Sequence, residues 1–332
     1  MRAKLFRDPV HNIIRFDQSD PVERILLQVV DTDAFQRLRR IRQLGFANLV
    51  YHGAEHSRFA HSLGVLHIAR RICQTLNLSD EERLEVLLAA ALHDIGHGPF
   101  SHAIERVTGV DHETYSQRVV LEHDPVRLLL EGVDTNLPQR IAQYFGLASE
   151  FPQEKRLLLD IISSQLDADR LDYILRDGLA TGVKIGVYDF ERIQTMFKIY
   201  RDAGGPRLGV DFRAKEAVEG YLIARFHMFK QVYLHKTVRS AEKMLEALFQ
   251  RVSALLLEDY AFQITLPPHI KMLLSDKGLD AGEFCRIDDT DMWVSIKNWS
   301  TEKDKSLSSL ANGLGLCLVV YTRPLSSMRL MR

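Results

Sequence analysis

A mainly α fold, with a smaller α+β part at the C-terminal end, is predicted by three features of this 332-residue chain. Residues 87–92, LLAAAL, read as a helix buried on all sides, and Gly96, Gly98 and Pro99 stop it. Residues 124–160 alternate apolar and charged positions at helical spacing, and 213–258 are densely apolar over two helix lengths. After Pro267-Pro268 the pattern changes: MWVSIKNW (292–299) and GLCLVVYTR (315–323) read as strands. The expected division is a helical core over 1–258, opened by a strand or hairpin, and a smaller α+β region over 259–332.

Taken in order, residues 1–17 place charged and β-branched residues around Asp8-Pro9 and predict the strand or hairpin. Asp20-Pro21 starts a helix, with proline in its first turn. Asp31-Thr32 caps a helix expected over Asp33–Leu44 and closed by Gly45. It carries Phe35, Leu38 and Ile41 on one face. Arg37, Arg39, Arg40 and Arg42 lie on others, as a solvated face or an anion-binding surface. Residues 51–61 predict a loop, followed by a helix over Ser62–Leu76; Ser79-Asp80-Glu81-Glu82 is a capping box. His112-Glu113 falls on the next helix. Pro138 and Pro152 break the helical stretch 124–160. Over Ser163–Asp177, Asp169, Asp172 and Tyr173 share a helix face, with Asp177 a turn further on. The Gly-rich segment 178–210 predicts a loop and a helix over Phe190–Tyr200, and helices follow over 213–236 and 237–258.

Composition is that of a soluble globular chain. A formal net charge of −1 supplies no global field for nucleic acid, although a local basic patch stays open. Three scattered cysteines make neither a Cys-x-x-Cys site nor a disulfide framework, which fits a reducing cytoplasm. No apolar run approaches the roughly 18–20 residues that span a bilayer, and MRAKLFRDPV lacks a signal-peptide core.

Histidine is unevenly spread: nine of the 13 fall between His52 and His123. His93-Asp94 sits where the apolar helix gives out, either as a satisfied core pair or as part of a metal site. His61, His93, Asp94 and Asp169 offer two imidazoles and two carboxylates from separate helices, a set that suits Mn²⁺, Fe²⁺, Zn²⁺, Ni²⁺ or Mg²⁺. The aspartates at 167–177 are equally readable as a solvated run. Phosphate hydrolysis beside such a site needs cations, for which Arg58, Arg170 and Arg225 are candidates. It also needs a proton donor, for which His97, His102 or His112 are candidates. The rival reading of His93-Asp94-x-x-His97 as a zinc-protease helix fails because Gly96 and Gly98-Pro99 bracket the second histidine.

Three segments carry a family resemblance: 35–65 (FQRLRRIRQLGFANLVYHGAEHSRFAHSLGV), 92–102 (LHDIGHGPFSH) and 166–177 (LDADRLDYILRD). Residues 5–14 and 232–245 add to it. On these motifs the chain resembles the HD-domain phosphohydrolases, in the branch of deoxynucleoside triphosphate triphosphohydrolases. The resemblance implies an HD-domain helical bundle with His61, His93, Asp94 and Asp169 as ligands of one divalent metal; a second magnesium arriving with the nucleotide is compatible with it. It implies phosphate contacts at Arg58 and Arg170, and His97, His102 and His112 near the α-phosphate. His102 would be the acid for the leaving oxygen, beside Glu105. Gln43 and Leu44 would read and pack the sugar, and Tyr173, Asp177, Arg225 and Tyr233 would add sugar and phosphate contacts.

The mammalian branch adds a SAM domain, not expected here, and a regulatory nucleotide site that Asp31, Gln36 and Arg39 match in part. Arg7 and Asn12 depart from it. The resemblance also implies a homo-oligomer, a dimer or tetramer. The expected activity is water attack at the α-phosphorus of a dNTP, releasing deoxynucleoside and triphosphate. The alternatives are an HD phosphodiesterase or nucleotidase, and a nucleotide-sensing module with little turnover.

Overall fold

A computed structural model describes residues 3–274 and 279–315. The strand expected at 315–323 lies outside them beyond Gly315. The chain opens with the expected hairpin, β1 (Ala3–Asp8) against β2 (Asn12–Asp17), paired antiparallel with Phe6 opposite Ile14. Asp8 accepts the turn amides of Val10 and His11 at 2.9 Å each. Asn12 takes φ 64°, a left-handed conformation that asparagine tolerates.

Helix α1 (Pro21–Val30) is capped by Asp20, and α2 (Asp33–Arg37) by Thr32. The expected helix to Leu44 stops early. A 3-10 turn covers Leu38–Arg40, Ile41 is extended, and Arg42 bridges to Ser57. The cause is tertiary. Arg37 is fully buried, and its guanidinium donates to the carbonyls of Ile95 (3.1 Å), His97 (2.9 Å) and Ile287 (3.1 Å). The Arg42 amide donates to Asp289 Oδ2 at 3.0 Å. Arg37 therefore corrects the solvated-face expectation, while Arg39 and Arg40 stay exposed. Arg37→Met strips the charged donor from three buried carbonyls and is expected to cost about 3 kcal/mol or more. Urea unfolding measures it, and a loss below about 1 kcal/mol would contradict this account.

Helix α3 (Arg58–Leu76), capped by Ser57, starts earlier than expected, so Arg58 and His61 lie on it rather than in a loop. Helix α4 (Asp80–Leu92) opens with the capping box, and Val86–Leu92 are wholly buried. Five helices follow: α5 (His102–Thr108), α6 (His112–Glu122), α7 (Asp124–Glu131), α8 (Leu137–Gln143) and α9 (Arg156–Ile162). Next come α10 (Ala168–Thr181) and α11 (Phe190–Thr195). The helix expected to reach Tyr200 ends at Thr195, and a hairpin takes its place: β3 (Phe197–Asp202) against β4 (Gly205–Val210). Only Phe197 of β3 is buried, so the strand has no alternation for the sequence to reveal.

Helix α12 (Lys215–Met228) runs into a π turn to Tyr233, and His235 caps α13 (Lys236–Leu257). The C-terminal part holds α14 (Pro268–Leu273), α15 (Ala281–Phe284), α16 (Asp289–Trp299) and α17 (Lys305–Gly315). Its described residues contain no strand, and of the two runs expected to be strands only 292–299 lies wholly among them, where the strand reading is corrected. MWVSIKNW is helix α16: a capping box of Asp288 and Asp291 starts it, and Met292, Ile296 and Trp299 are buried at helical spacing.

Helix α3 packs against both α4 and α10, which brings the three motif segments together. Gly64 sits at the crossing of α3 and α10. A Cβ there would lie 1.9 Å from Asp172 Oδ1 and 2.4 Å from Arg176 Nη2.

Candidate active site and metal centre

The four expected ligands converge. His61 and Asp169 come from α3 and α10, and His93-Asp94 from the end of α4. His61 Nε2 lies 3.3 Å from His93 Nε2, 3.0 Å from Asp169 Oδ1 and 3.6 Å from Asp94 Oδ2. His93 Nε2 lies 3.4 Å from Asp94 Oδ1 and 3.8 Å from Asp169 Oδ1. Metal bonds of about 2.0–2.2 Å place adjacent ligand atoms roughly 3 Å apart, so this donor set fits one cation. His61, His93 and Asp94 by themselves form a group able to hold a metal ion, their ligand atoms all within 4.8 Å.

The electrostatics agree. Burial disfavours a charged His61, yet hydrogen bonds to Asp169 and Asp172 outweigh it and raise its pKa to about 10. Burial also opposes ionisation of Asp94, and Arg58, His93 and His97 overcome it, holding the carboxyl well below its ordinary range. The carboxylates thus give the pocket a strong affinity for positive charge.

Both histidines are oriented from behind. His61 Nδ1 donates to Asp172 Oδ2 at 2.8 Å, and His93 Nδ1 to the Ala90 carbonyl at 2.9 Å, which turns each Nε2 to the centre. Asp172 is fully buried and also accepts from His11 Nε2 (2.7 Å), Arg176 Nε (2.7 Å) and Arg176 Nη2 (2.9 Å). Asp172, His11 and Arg176 carry no expected role in the sequence. Only Asp172 left a signal, by sharing a helix face with Asp169.

The loop between α4 and α5 is tethered on several sides. Gly96 lets it approach α6: a Cβ there would lie 2.2 Å from the His112 carbonyl and 2.2 Å from the Ser116 amide. Phe100 and Ser101 adopt φ 58° and 55°, a strained conformation for non-glycine residues. The Phe100 amide donates to Asp289 Oδ1 at 2.8 Å, and Ser101 Oγ donates to the Arg42 carbonyl at 2.7 Å. Arg58 then donates from Nε to Ser101 Oγ (2.8 Å) and from Nη1 to Asp94 Oδ2 (2.5 Å).

Glu105 gathers the remaining histidines. His102 Nδ1 and His112 Nδ1 each donate to its Oε1 at 3.0 Å. His97 stacks on His112, with ring centroids 3.8 Å apart and planes 11° apart. Burial would raise the Glu105 pKa, but the bonds from His102 and His112 prevail and lower it. Burial, with Arg58 nearby, holds His97 well below its ordinary value.

A cavity of about 640 Å³ opens onto both groups. Of the expected residues it is lined by Gln43, Leu44, Arg58, Asp94, His97, His102, Glu105, His112, Asp169, Tyr173, Asp177 and Tyr233. Gln43 Oε1 is buried there without a partner. Asp177 accepts from His56 Nε2 and from Tyr233 Oη, both at 2.8 Å. His56 thus stands behind the lining residue Asp177, a position that the motifs did not assign. Arg106, Arg239 and Glu242 line it too, with both arginines bound to Glu242 at 2.9 and 2.7 Å.

Arg170 and Arg225 are not among the lining residues: Arg170 pairs with Asp167, and Arg225 donates to Gln165 Oε1 at 2.8 Å. Asp31, Gln36 and Arg39 lie outside the cavity too. There Arg39 donates to Gln36 Oε1 at 2.7 Å and stacks 3.5 Å over the Phe59 ring.

The HD domain profile matches residues 58–175. The chain is 37% identical over 312 residues to the uncharacterized protein YwfO of Bacillus subtilis, covering 92% of this chain and 69% of that protein. It is 30% identical over 267 residues to the deoxynucleoside triphosphate triphosphohydrolase SAMHD1 homolog of Dictyostelium discoideum, covering 74% of this chain and about half of that relative, 49%. A solved phosphohydrolase from Bacteroides thetaiotaomicron is similar with a TM-score of 0.81 at 32% identity, covering 94% of this chain and 76% of that one. Among the described residues no helix is long and apolar enough to cross a membrane.

Proposed function

Because the chain belongs to the HD-domain phosphohydrolase family, we propose that its cavity hydrolyses deoxynucleoside triphosphates at the α-phosphorus, releasing deoxynucleoside and inorganic triphosphate. The observation that supports the proposal is the approach of His61, His93, Asp94 and Asp169 to one another, with Asp94 and Asp169 lining a nucleotide-sized cavity. These four residues would hold a divalent cation, which would neutralise charge at a phosphate oxygen and acidify water.

The chain's own residues do the rest. Arg58, fixed by Asp94 and Ser101, offers positive charge to the phosphates. His102, tied through Nδ1 to Glu105, has Nε2 free to protonate the leaving 5′-oxygen as the phosphorus–oxygen bond breaks. Glu105 stabilises its charged form. Gln43 Oε1 is an unused acceptor for a sugar hydroxyl, and Leu44 packs beside it. Tyr173, Asp177 and Tyr233 complete the lining, with Asp177 held by Tyr233 and, from behind, by His56. Exposed Leu222, Ile223 and Phe226 on α12 support assembly with further copies.

One observation favours a nucleotidase or phosphodiesterase instead: of the three expected phosphate-binding arginines, only Arg58 lines the cavity. Product analysis separates the two. Incubation with each dNTP and a divalent metal is expected to yield triphosphate and deoxynucleoside in equal amounts. Pyrophosphate, monophosphate or no product rejects the triphosphohydrolase reading.

A further inference from the structure

We propose that Asp289, in the first turn of α16, is a positioning residue that holds the sugar-reading segment at Gln43 and the acid-bearing segment at His102 in one fixed register. The inference rests on the roles given above to those two residues. Asp289 Oδ2 accepts the Arg42 amide at 3.0 Å, and Oδ1 accepts the Phe100 amide at 2.8 Å. Gln43 follows Arg42 directly, and His102 lies just beyond Phe100 and Ser101. One carboxylate thus spans the two backbones that carry the two groups. Ser101 Oγ closes the bracket by donating to the Arg42 carbonyl at 2.7 Å.

Helix α16 does not need this carboxylate for its own start. Asp288 caps the helix and accepts the Thr290 amide at 2.8 Å, and Asp291 accepts the Asp288 amide in return at 2.9 Å. The two bonds of Asp289 instead leave the helix, for segments 247 and 189 positions away. Asp289 is buried, and the neighbouring guanidiniums are engaged elsewhere: Arg42 with Glu55 at 2.7 Å, Arg40 with Asp288. Burial pushes its carboxyl up to about 6, against the pull of the two amides. A buried carboxylate balanced mainly by amides is a costly tie, and what it ties is the edge of the cavity.

That edge is strained and closely fitted. Phe100 and Ser101, at φ 58° and 55°, hold a conformation that non-glycine residues keep only where the surroundings impose it. The Gly45 backbone passes so near that a Cβ there would lie 3.1 Å from the Phe100 carbonyl oxygen. One turn along α16 from Asp289, Trp293 packs edge-on against Phe100 and Phe46, with ring centroids 5.3 and 6.0 Å away. Phe46 and Phe100 themselves meet at 4.6 Å. The aromatic contacts bring the two segments to α16, and the Asp289 carboxylate fixes their backbones upon it. Without that carboxylate the rings still pack, but both amides lose their acceptor and the strained turn is free to relax.

Hydrogen–deuterium exchange and kinetics on the same full-length chain test this. Asp289→Ala removes both acceptors. Asp289→Asn keeps one and turns an N–H toward the other amide, so it serves where the alanine variant does not fold. Asp288→Ala weakens the α16 cap alone and controls for a merely structural effect. Both Asp289 variants are expected to keep the wild-type metal content and to exchange faster over 42–45 and 99–102. Their kcat for dNTP is expected to fall about 10–100-fold, since roughly 1 Å of misplacement costs on the order of 10²-fold, with KM moved less. Unchanged exchange over both stretches overturns the proposal. So does faster exchange with an undiminished kcat, or an equal loss of kcat in Asp288→Ala. A wild-type chain that releases no triphosphate fails the hydrolytic reading instead, and the exchange result still decides whether Asp289 holds the two segments.

Discussion

Replacing His93 by alanine is expected to empty the metal site and to lower hydrolysis by at least two orders of magnitude. The imidazole is one of four expected donors, and its Nε2 lies 3.3 Å from His61 Nε2, 3.4 Å from Asp94 Oδ1 and 3.8 Å from Asp169 Oδ1. Loss of an orienting partner behind a ligand already costs about 10–100-fold in metal affinity or activity, so loss of the ligand itself costs at least the upper end. The fold survives, because His93 sits at the end of α4 and its one bond to the scaffold is Nδ1 to the Ala90 carbonyl, worth about 1 kcal/mol. Asp169→Ala is expected to do the same from α10. Removing that carboxylate also takes away a hydrogen bond that favours positive charge on His61. Elemental analysis beside a melting curve decides the matter. A His93→Ala or Asp169→Ala chain that folds and still holds its metal removes that residue from the ligand set.

Gly64→Ala is expected to lower both stability and metal content. The new Cβ would lie 1.9 Å from Asp172 Oδ1, 2.4 Å from Arg176 Nη2 and 2.6 Å from Asp172 Cγ. Asp172 cannot swing aside, since it accepts from His11, His61 and Arg176 in a fully buried position. Helices α3 and α10 must therefore separate. Overpacking of a tight core costs about 1–3 kcal/mol, and more where a buried charge network is broken. Here it also turns His61 away from the metal, so stability and metal content fall together. Urea unfolding and metal analysis on the same preparation test both. A wild-type midpoint with full metal occupancy would show that α3 and α10 are not held as tightly as the distances imply.

Much of the site is local and can be read along the chain. The buried run before His93, the capping box at Ser79 and the shared face of Asp169 and Asp172 all involve residues within about a turn or two of one another. The family motifs carried the ligand identities. What supports those ligands is not local. His11 reaches Asp172 from 161 positions away, and Asp289 caps the amides of Arg42 and Phe100 from more than 180 away. Neither leaves a periodic trace.

The departures share that origin. Arg37 reads as one of four solvated arginines, but the packed chain offers it three carbonyls and buries it. Arg170 and Arg225, expected at the phosphates, pair with Asp167 and Gln165 in the packed chain and are not among the lining residues. Met292–Trp299 resembles a strand until Met292, Ile296 and Trp299 meet the core at helical spacing.

The sequence by itself determined which residues are candidates for the chemistry and where most helices begin, because ligand type, caps and apolar period are properties of neighbours along the chain. Only the tertiary structure decided how the ligands are aimed, which arginines reach the cavity and where α3 and α10 can touch. Those depend on where distant side chains find hydrogen-bond partners once water is excluded.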